Sequence, residues 1–382
     1  MLYTDLGVRT LINASTTLTA LGGSLMPPEV MNAMREASTA FVDLNQLHER
    51  AGARLAQVTR NEAAYVTSGC SAAIVLAVLA CRTRGQLTNI AQLTVENSLP
   101  NEVIVQAAHR IPYDPAIQFG GATVRQIGNA LQTFDWELEA AINDRTAAVF
   151  WVAGSHLSRG ALPLTDVVRV AHARGIPVIV DAAAQLPPLS NLWQFTAEQG
   201  ADLALFSGGK ALRGPQASGL MVGRAELVEA ARSNGSPHHR LARALKAGKE
   251  EIAGLVAAVC RYVELDHAAI AEQQYATCHE WAAQLARIPG VSVRVHDLNT
   301  AGQPVPRVQV VPSRANHAPA CSSVIDNLWM GDPAIAVGLG PEESFFLCPD
   351  LLTPGQPEIV LDRVLVELSR SAPIVPVEGP PE

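Results

Sequence analysis

The sequence predicts an α/β protein: a mostly parallel sheet in a large domain, followed by a smaller C-terminal α/β domain. Three observations carry this. Between residues 63 and 222 short apolar runs alternate with helix-length segments, the pattern of buried parallel strands covered by helices on both faces. After residue 224 that alternation gives way to long helical stretches and then to a second set of strands. The chain, at 382 residues with 48% hydrophobic and 17% charged residues, is long and apolar enough for two domains and a buried ligand site.

Taken in order, residues 1–50 read as an N-terminal arm, with a short strand in LINAS, a small-residue loop at 20–24 and a helix opening at Pro27-Pro28. The loop Gly22-Gly23-Ser24 is open enough to approach a ligand or another subunit, and a plain turn explains it equally well. Residues 51–240 read as the large domain. It opens on a helix at 45–62, a strand at Ala63–Thr67, a turn at Ser68-Gly69-Cys70 and a buried helix at 71–81. Strands follow at 103–106, 122–127, 146–154, 178–180 and 203–206, with a last short strand near 222. Residues 241–370 read as linking helices (238–265 and 268–287) and a small domain built from VSVRVHD, RVQVVPS, DPAIAVG, SFFLCPD and a helix at 356–369. The proline-rich end, 371–382, reads as a loose tail.

Composition narrows the function. With 28 basic against 36 acidic residues the net charge is −8, which argues against a general nucleic-acid binder. The start MLYTDLGVRTLIN lacks the pattern of a signal peptide, and the most apolar run, Ala72–Cys81, is too short to span a bilayer. Six scattered cysteines without a CxxC pair read as reduced cytoplasmic thiols, with neither a disulfide frame nor a metal site. The expectation is a cytoplasmic protein with a small-molecule substrate.

Four positions carry the chemistry. A strand running through Ser68-Gly69-Cys70 into a helix leaves backbone N–H groups and the positive end of the helix dipole free for a phosphate, although a serine cap without a ligand is also common. No GxxxxGK or GxGxxG is present. His109 follows a strand and could stack on a planar cofactor, or be a capping or core residue. Asp181 ends a fully apolar strand, where a carboxylate calls for a cationic partner: a protonated ring nitrogen, an arginine, or a helix it caps. Lys210 follows Leu203–Phe206 and the turn Ser207-Gly208-Gly209, which delivers an amine at the mouth of the sheet; an ordinary surface lysine is the plainer reading. All four lie at strand exits, where ligands of open parallel sheets bind.

Together, TSGCSAA, HRIPYD, VIVDAAAQLPP, SGGKALRGPQASG and LKAGKEEIAGL resemble the selenocysteine synthase-like branch of fold-type I pyridoxal phosphate enzymes, and within it the D-glucosaminate-6-phosphate ammonia-lyase group. The resemblance runs from about residue 6 to 370. It implies that Lys210 carries the cofactor as an aldimine and moves protons, that Asp181 pairs with the ring nitrogen, and that Ala183 and His109 pack on the two ring faces. It further implies a phosphate held by Ser68, Gly69, Cys70 and Ser207, with Arg213 and Gln216 turned to the substrate or to a neighbouring subunit's cofactor. His156, near the same edge with Arg159, is a candidate substrate contact. The implied assembly is at least a homodimer with shared active sites. The implied reaction passes through a carbanion or quinonoid, with β-elimination from a hydroxy or sugar amino acid first. Alternatives on the same scaffold are oxygen-dependent monooxygenation with decarboxylation, β-replacement or racemisation. The chain departs from its relatives at Thr59-Arg60-Asn61-Glu62, where they tend to have Thr-Gly-Ala-Glu, at Gly338, where they often have arginine, and in WVAGSHLSRG, which brings His156 and Arg159 to the active edge.

Overall fold

The computed structural model describes residues 2–93, 99–313 and 319–370. Among them twelve strands form: β1 (Leu11–Ala14), β2 (Ala63–Thr67), β3 (Glu102–Gln106), β4 (Thr123–Ile127), β5 (Thr146–Val152), β6 (Val178–Asp181), β7 (Leu203–Ser207), β8 (Gly219–Gly223), β9 (Val291–His296), β10 (Arg307–Pro312), β11 (Ala334–Leu339) and β12 (Phe345–Leu347). The chain divides into two compact units. One is Gly22–Leu265 with Thr300–Gln303; the other comprises the described residues of Met1–Leu21, Asp266–Asn299 and Pro304–Glu382.

The larger unit is built on a seven-stranded sheet in the order β2-β8-β7-β6-β5-β3-β4. Strands β4, β3, β5, β6 and β7 run parallel; β8 is antiparallel to both β7 and β2. The continuous apolar runs arise because both faces are covered. Ile104, Val149, Val178, Val180, Ala204 and Phe206 pack into one core, while Val103, Val105, Phe150, Ile179, Leu203 and Leu205 pack into the other. That two-residue alternation between two apolar layers is the signature of a doubly covered parallel sheet. The helix Cys70–Thr83 lies on one side and is buried around almost its whole circumference, which explains its uniform Ala/Val/Leu composition. Truncating a fully enclosed residue such as Leu79 would cost about 2–5 kcal/mol.

The larger unit reaches past residue 240. Ile252, Leu255 and Val259 of the helix Lys249–Glu264 are buried in the same core as Leu55, so the break falls at 265/266. The helix expected over 238–265 is confined to Lys249–Glu264, after a short turn at Arg243–Leu245. The N-terminal region is shared out: residues 22–50 belong to the larger unit, whereas β1 pairs parallel with β11 in the smaller one, Leu11 opposite Ala334. There the five-stranded sheet runs β1-β11-β12-β10-β9. A helix at Cys321–Met330, for which the sequence reading has no counterpart, packs Val324 and Leu328 into its core. The expected loose tail, 371–382, lies outside the described residues.

Two of the departures from the relatives, at Arg60 and Gly338, have a local physical account. Arg60 ends the helix Leu44–Thr59 at φ 57°, a left-handed position that favours glycine. Its guanidinium lies 4.0 Å from the centroid of the Trp193 ring, which offsets part of that strain. Gly338 pairs with Phe346, and a Cβ there would come within 3.3 Å of the Phe346 Cβ. A larger residue at 338 therefore requires Phe346 to move.

Candidate active site

Sheet register, not chain proximity, gathers the candidate residues. Thr67 at the end of β2 and Ser207 at the end of β7 both pair with Gly219, the first residue of β8. Asp181, at the end of β6, pairs with Leu205 on one side and Val152 on the other. The exits of β2, β6 and β7 thus share one edge of the sheet, where a ligand is expected.

The turn after β2 is shaped for an anion. Gly69 adopts φ 100° and is the N-cap of the helix Cys70–Thr83, with no side chain capping the free N–H groups. A Cβ on Gly69 would meet nothing within 4 Å, so the turn opens onto space. The Thr67 hydroxyl donates to the Gly69 carbonyl at 3.0 Å, and the Ser68 hydroxyl donates to the Leu245 carbonyl at 3.0 Å. Ser68 therefore ties the basic turn around Arg243 to the loop. Gly219 has to be glycine here: its Cβ would fall 2.6 Å from both the Thr67 Oγ1 and the Gly69 carbonyl carbon.

Asp181 is 5% exposed. Its Oδ1 accepts from the Ala183 N–H at 3.0 Å and from the Cys70 thiol at 3.8 Å. Burial pushes the carboxyl above its ordinary range. The Ala183 N–H, the charge of Lys210 and the Cys70 thiol oppose that rise only in part. Burial likewise pushes the Cys70 thiol well up, aided by Asp181, which keeps it a neutral donor. Ala183 and Ala184 beside Asp181 are half-buried and add no bulk.

Lys210 is half-buried, within electrostatic reach of Asp181 and Cys70. The preceding turn is tightly pinned. Gly208 N–H donates to the Ser218 carbonyl at 2.9 Å, Gly214 N–H to the Gly208 carbonyl at 2.8 Å, and Arg213 N–H to the Lys210 carbonyl at 2.9 Å. Arg213 takes φ 54°, a conformation uncommon for a residue with a side chain and often found at functional turns. Gln216 passes so close that a Cβ on Gly209 would lie 2.6 Å from the Gln216 Cα. Ser207, half-buried, donates its N–H to the Ala183 carbonyl at 3.4 Å.

His109 is placed differently from its expected ring-stacking position. It is 0% exposed and offers no open ring face. The short turn Ala107–His109 swings the imidazole inward, where Nδ1 accepts from the Val152 N–H at 3.3 Å and the ring meets Trp151 edge-on, centroids 5.1 Å apart. Burial lowers its pKa from 6.5 to about 4, so the ring is neutral at pH 7. Ala107 and Ala108 are the half-buried residues at the β3 exit. His156 is exposed beside Gly154, where a Cβ would lie 2.9 Å from its Cε1 and 3.6 Å from the Gln185 Nε2; Arg159 is exposed as well.

Two supporting residues have roles that the sequence does not show, although the loop containing Ser24 stands out for its openness. Gln106 accepts from the Leu162 N–H through Oε1 at 2.6 Å and turns its Nε2 towards His109 Nδ1 at 3.5 Å. Ser24 bonds to the back of the lysine turn. Neither carries a signal in composition or spacing, because each acts through a contact with a distant segment.

These residues fit pyridoxal phosphate. The uncapped N–H groups at Gly69–Cys70 suit its phosphate, the buried Asp181 calls for a cation such as its ring nitrogen, and Lys210 is held close to that carboxyl. Among the described residues no group of three His, Cys, Asp or Glu is arranged to hold a metal, and no helix is long and apolar enough to cross a membrane.

Comparison with known proteins agrees with this geometry. The profile of the L-seryl-tRNA selenium transferase family, SelA, matches residues 11–286. D-glucosaminate-6-phosphate ammonia lyase of Salmonella typhimurium is 37% identical over 266 residues, 68% of this chain and 70% of that protein. The 5'-C-glycyluridine monooxygenase-decarboxylase of a Streptomyces species is 32% identical over 376 residues, 95% and 91% of the two chains. A solved D-glucosaminate-6-phosphate ammonia-lyase superposes with a TM-score of 0.84 at 31% identity, covering 97% of this chain and 99% of that one.

Proposed function

Because the chain belongs to the L-seryl-tRNA selenium transferase family of pyridoxal phosphate enzymes, we propose that it removes a β-substituent from a hydroxy amino acid or an amino-sugar acid, giving an oxo acid and ammonia. The observation that carries this reading is Asp181: a buried carboxyl, engaged through one oxygen, within electrostatic reach of Lys210. The bound cofactor supplies an electron sink for the pair left at the substrate's α-carbon. Asp181 keeps a proton on the ring nitrogen, which sustains that sink. Lys210 Nζ would tether the cofactor, and as a free amine it would take the α-proton and deliver a proton to the leaving hydroxyl. The N–H groups of Gly69 and Cys70, with Ser68 and Ser207, would hold the phosphate. Ala183 gives a flat surface for the ring, and its N–H orients Asp181. Arg213, Gln216 and His156 face the substrate or a neighbouring subunit, in a cytoplasmic homodimer with shared sites.

A second reading stands beside it: the match to the monooxygenase-decarboxylase extends over 95% of the chain, nearly the 97% over which the solved ammonia-lyase superposes. In that reaction the same residues hold the cofactor, and dioxygen accepts the electrons. Screening amino acids and amino-sugar acids for ammonia, carbon dioxide and oxygen consumption separates the two. Ammonia release without oxygen uptake supports elimination; oxygen uptake that tracks turnover overturns it.

A further inference from the structure

The loop Gly22–Ser24 has no part in the chemistry above, yet it is built onto the lysine turn. The Ser24 N–H donates to the Gly209 carbonyl at 3.0 Å. The Ser24 hydroxyl reaches the same carbonyl at 3.0 Å and the Lys210 carbonyl at 2.8 Å. With one proton to give, that hydroxyl shares it between the carbonyl oxygens of two consecutive peptides. The approach leaves no spare room. Gly23 sits at φ 74°, and a Cβ on it would lie 2.6 Å from the Gly209 oxygen and 3.5 Å from the Gln216 Cγ. On its other side the turn is pressed by Gln216. Gly209 is thus clasped between two segments, and the peptide planes on either side of the Lys210 Cα are fixed, one by Ser24 and the other by Ser24 together with Arg213 N–H.

We propose that Ser24 is a positioning residue for Lys210: by holding the carbonyls of residues 209 and 210 it sets the direction in which the lysine side chain leaves the turn. The proposal rests on Lys210 being the cofactor-bearing amine. A serine that only stabilises a loop would leave the amine's behaviour unchanged once the protein is folded. A serine that aims the amine governs how well the amine meets both the cofactor and Asp181. The side chain at 24 must then keep a hydroxyl, whereas its exact size is secondary. The glycine at 23 serves the same end, since any side chain there drives the loop off the Gly209 oxygen.

The test compares Ser24→Ala, Ser24→Thr and Gly23→Ala with wild type in two measurements. In the cofactor-free protein, hydrogen exchange of the amides of residues 208–214 is followed. In the cofactor-loaded protein, the visible absorption band is titrated with pH and steady-state kinetics are recorded. Ser24→Ala and Gly23→Ala should accelerate exchange in that turn, move the midpoint of the titration and lower kcat about tenfold while KM changes less than about twofold, the loss of one hydrogen bond at a reacting group. Ser24→Thr should recover most of each. Unchanged exchange and midpoint in Ser24→Ala overturn the proposal, as does a Ser24→Thr that folds normally yet behaves like alanine. A wild-type protein that takes up no pyridoxal phosphate overturns the Lys210 reading itself, before any variant is compared.

Discussion

Acid stability is the sharpest probe of His109, because the same measurement distinguishes a buried strut from a titrating catalytic group. In the folded protein its pKa is lowered by burial from 6.5 to about 4. Unfolded chains therefore bind a proton at this position between pH 6.5 and 4 while the folded protein does not, so stability falls as the pH drops through that window. At about 1.4 kcal/mol per pH unit the full loss is about 3 kcal/mol. For a unit of this size that is roughly 6–12 °C in melting temperature. His48, 3% exposed and also lowered to about 4 by burial, contributes in the same sense. Asp181 contributes with the opposite sign: its raised pKa makes the folded protein the better proton acceptor above the ordinary carboxyl range, so its share of stability decreases as pH rises. Thermal melts of cofactor-free wild type and His109→Gln between pH 7 and 4.5 isolate the term. The variant should melt lower at pH 7, having lost the Val152 bond and the Trp151 contact, but should lose less stability on acidification. Parallel curves for the two proteins would refute the argument. An activity profile whose inflection near pH 6–7 disappears in His109→Gln would refute the neutral assignment.

Lys210→Ala should abolish the visible absorption of the cofactor–lysine linkage and lower turnover by more than about 10³-fold; retention of the band would place the tether elsewhere. Asp181→Asn should cost about 1.5–3 kcal/mol of charge-assisted hydrogen bonding, or roughly 10–150-fold in kcat, read in steady-state kinetics of the cofactor-loaded protein. Gly219→Ala forces a Cβ into the Thr67 hydroxyl and the Gly69 carbonyl; the expected result is about 1–3 kcal/mol of destabilisation and weaker cofactor uptake, read by fluorescence titration. Cys70 in the cofactor-free protein should resist alkylation at pH 8, since burial keeps its thiol protonated; rapid labelling there would contradict its contact with Asp181.

Much of the larger unit is legible from its residues because buried parallel strands leave a coarse mark. The runs at Ala63–Thr67, Val178–Asp181 and Leu203–Ser207 are apolar on both faces and end on the polar residues that form the site. Positions set by tertiary contact are not legible in this way. The direction of the His109 ring depends on a single short turn, and nothing in HRIPYD distinguishes inward from outward. The bond from Ser24 to the lysine turn joins residues 185 and 186 positions apart, beyond any local pattern. The helix Lys249–Glu264 has the same amphipathic character whichever unit it serves, so only its burial beside Leu55 assigns it. Arg60 shows the reverse case: a departure from the relatives that looks disruptive in the sequence is absorbed by one aromatic neighbour.

The pairing of β1 with β11 has a consequence for how the molecule is made. Residues 11–14 leave the ribosome long before their partner strand, 334–339, because Leu11 pairs with Ala334 far along the chain. By then the segment that builds the large sheet has already emerged. At synthesis rates of 5–20 residues per second the wait between residues 265 and 334 is roughly 3–14 s. Throughout it LINA presents unsatisfied backbone groups, open to association with a neighbouring nascent chain. Nascent chains stalled short of residue 334 should thus be the species most prone to aggregate, and masking those four residues should protect them.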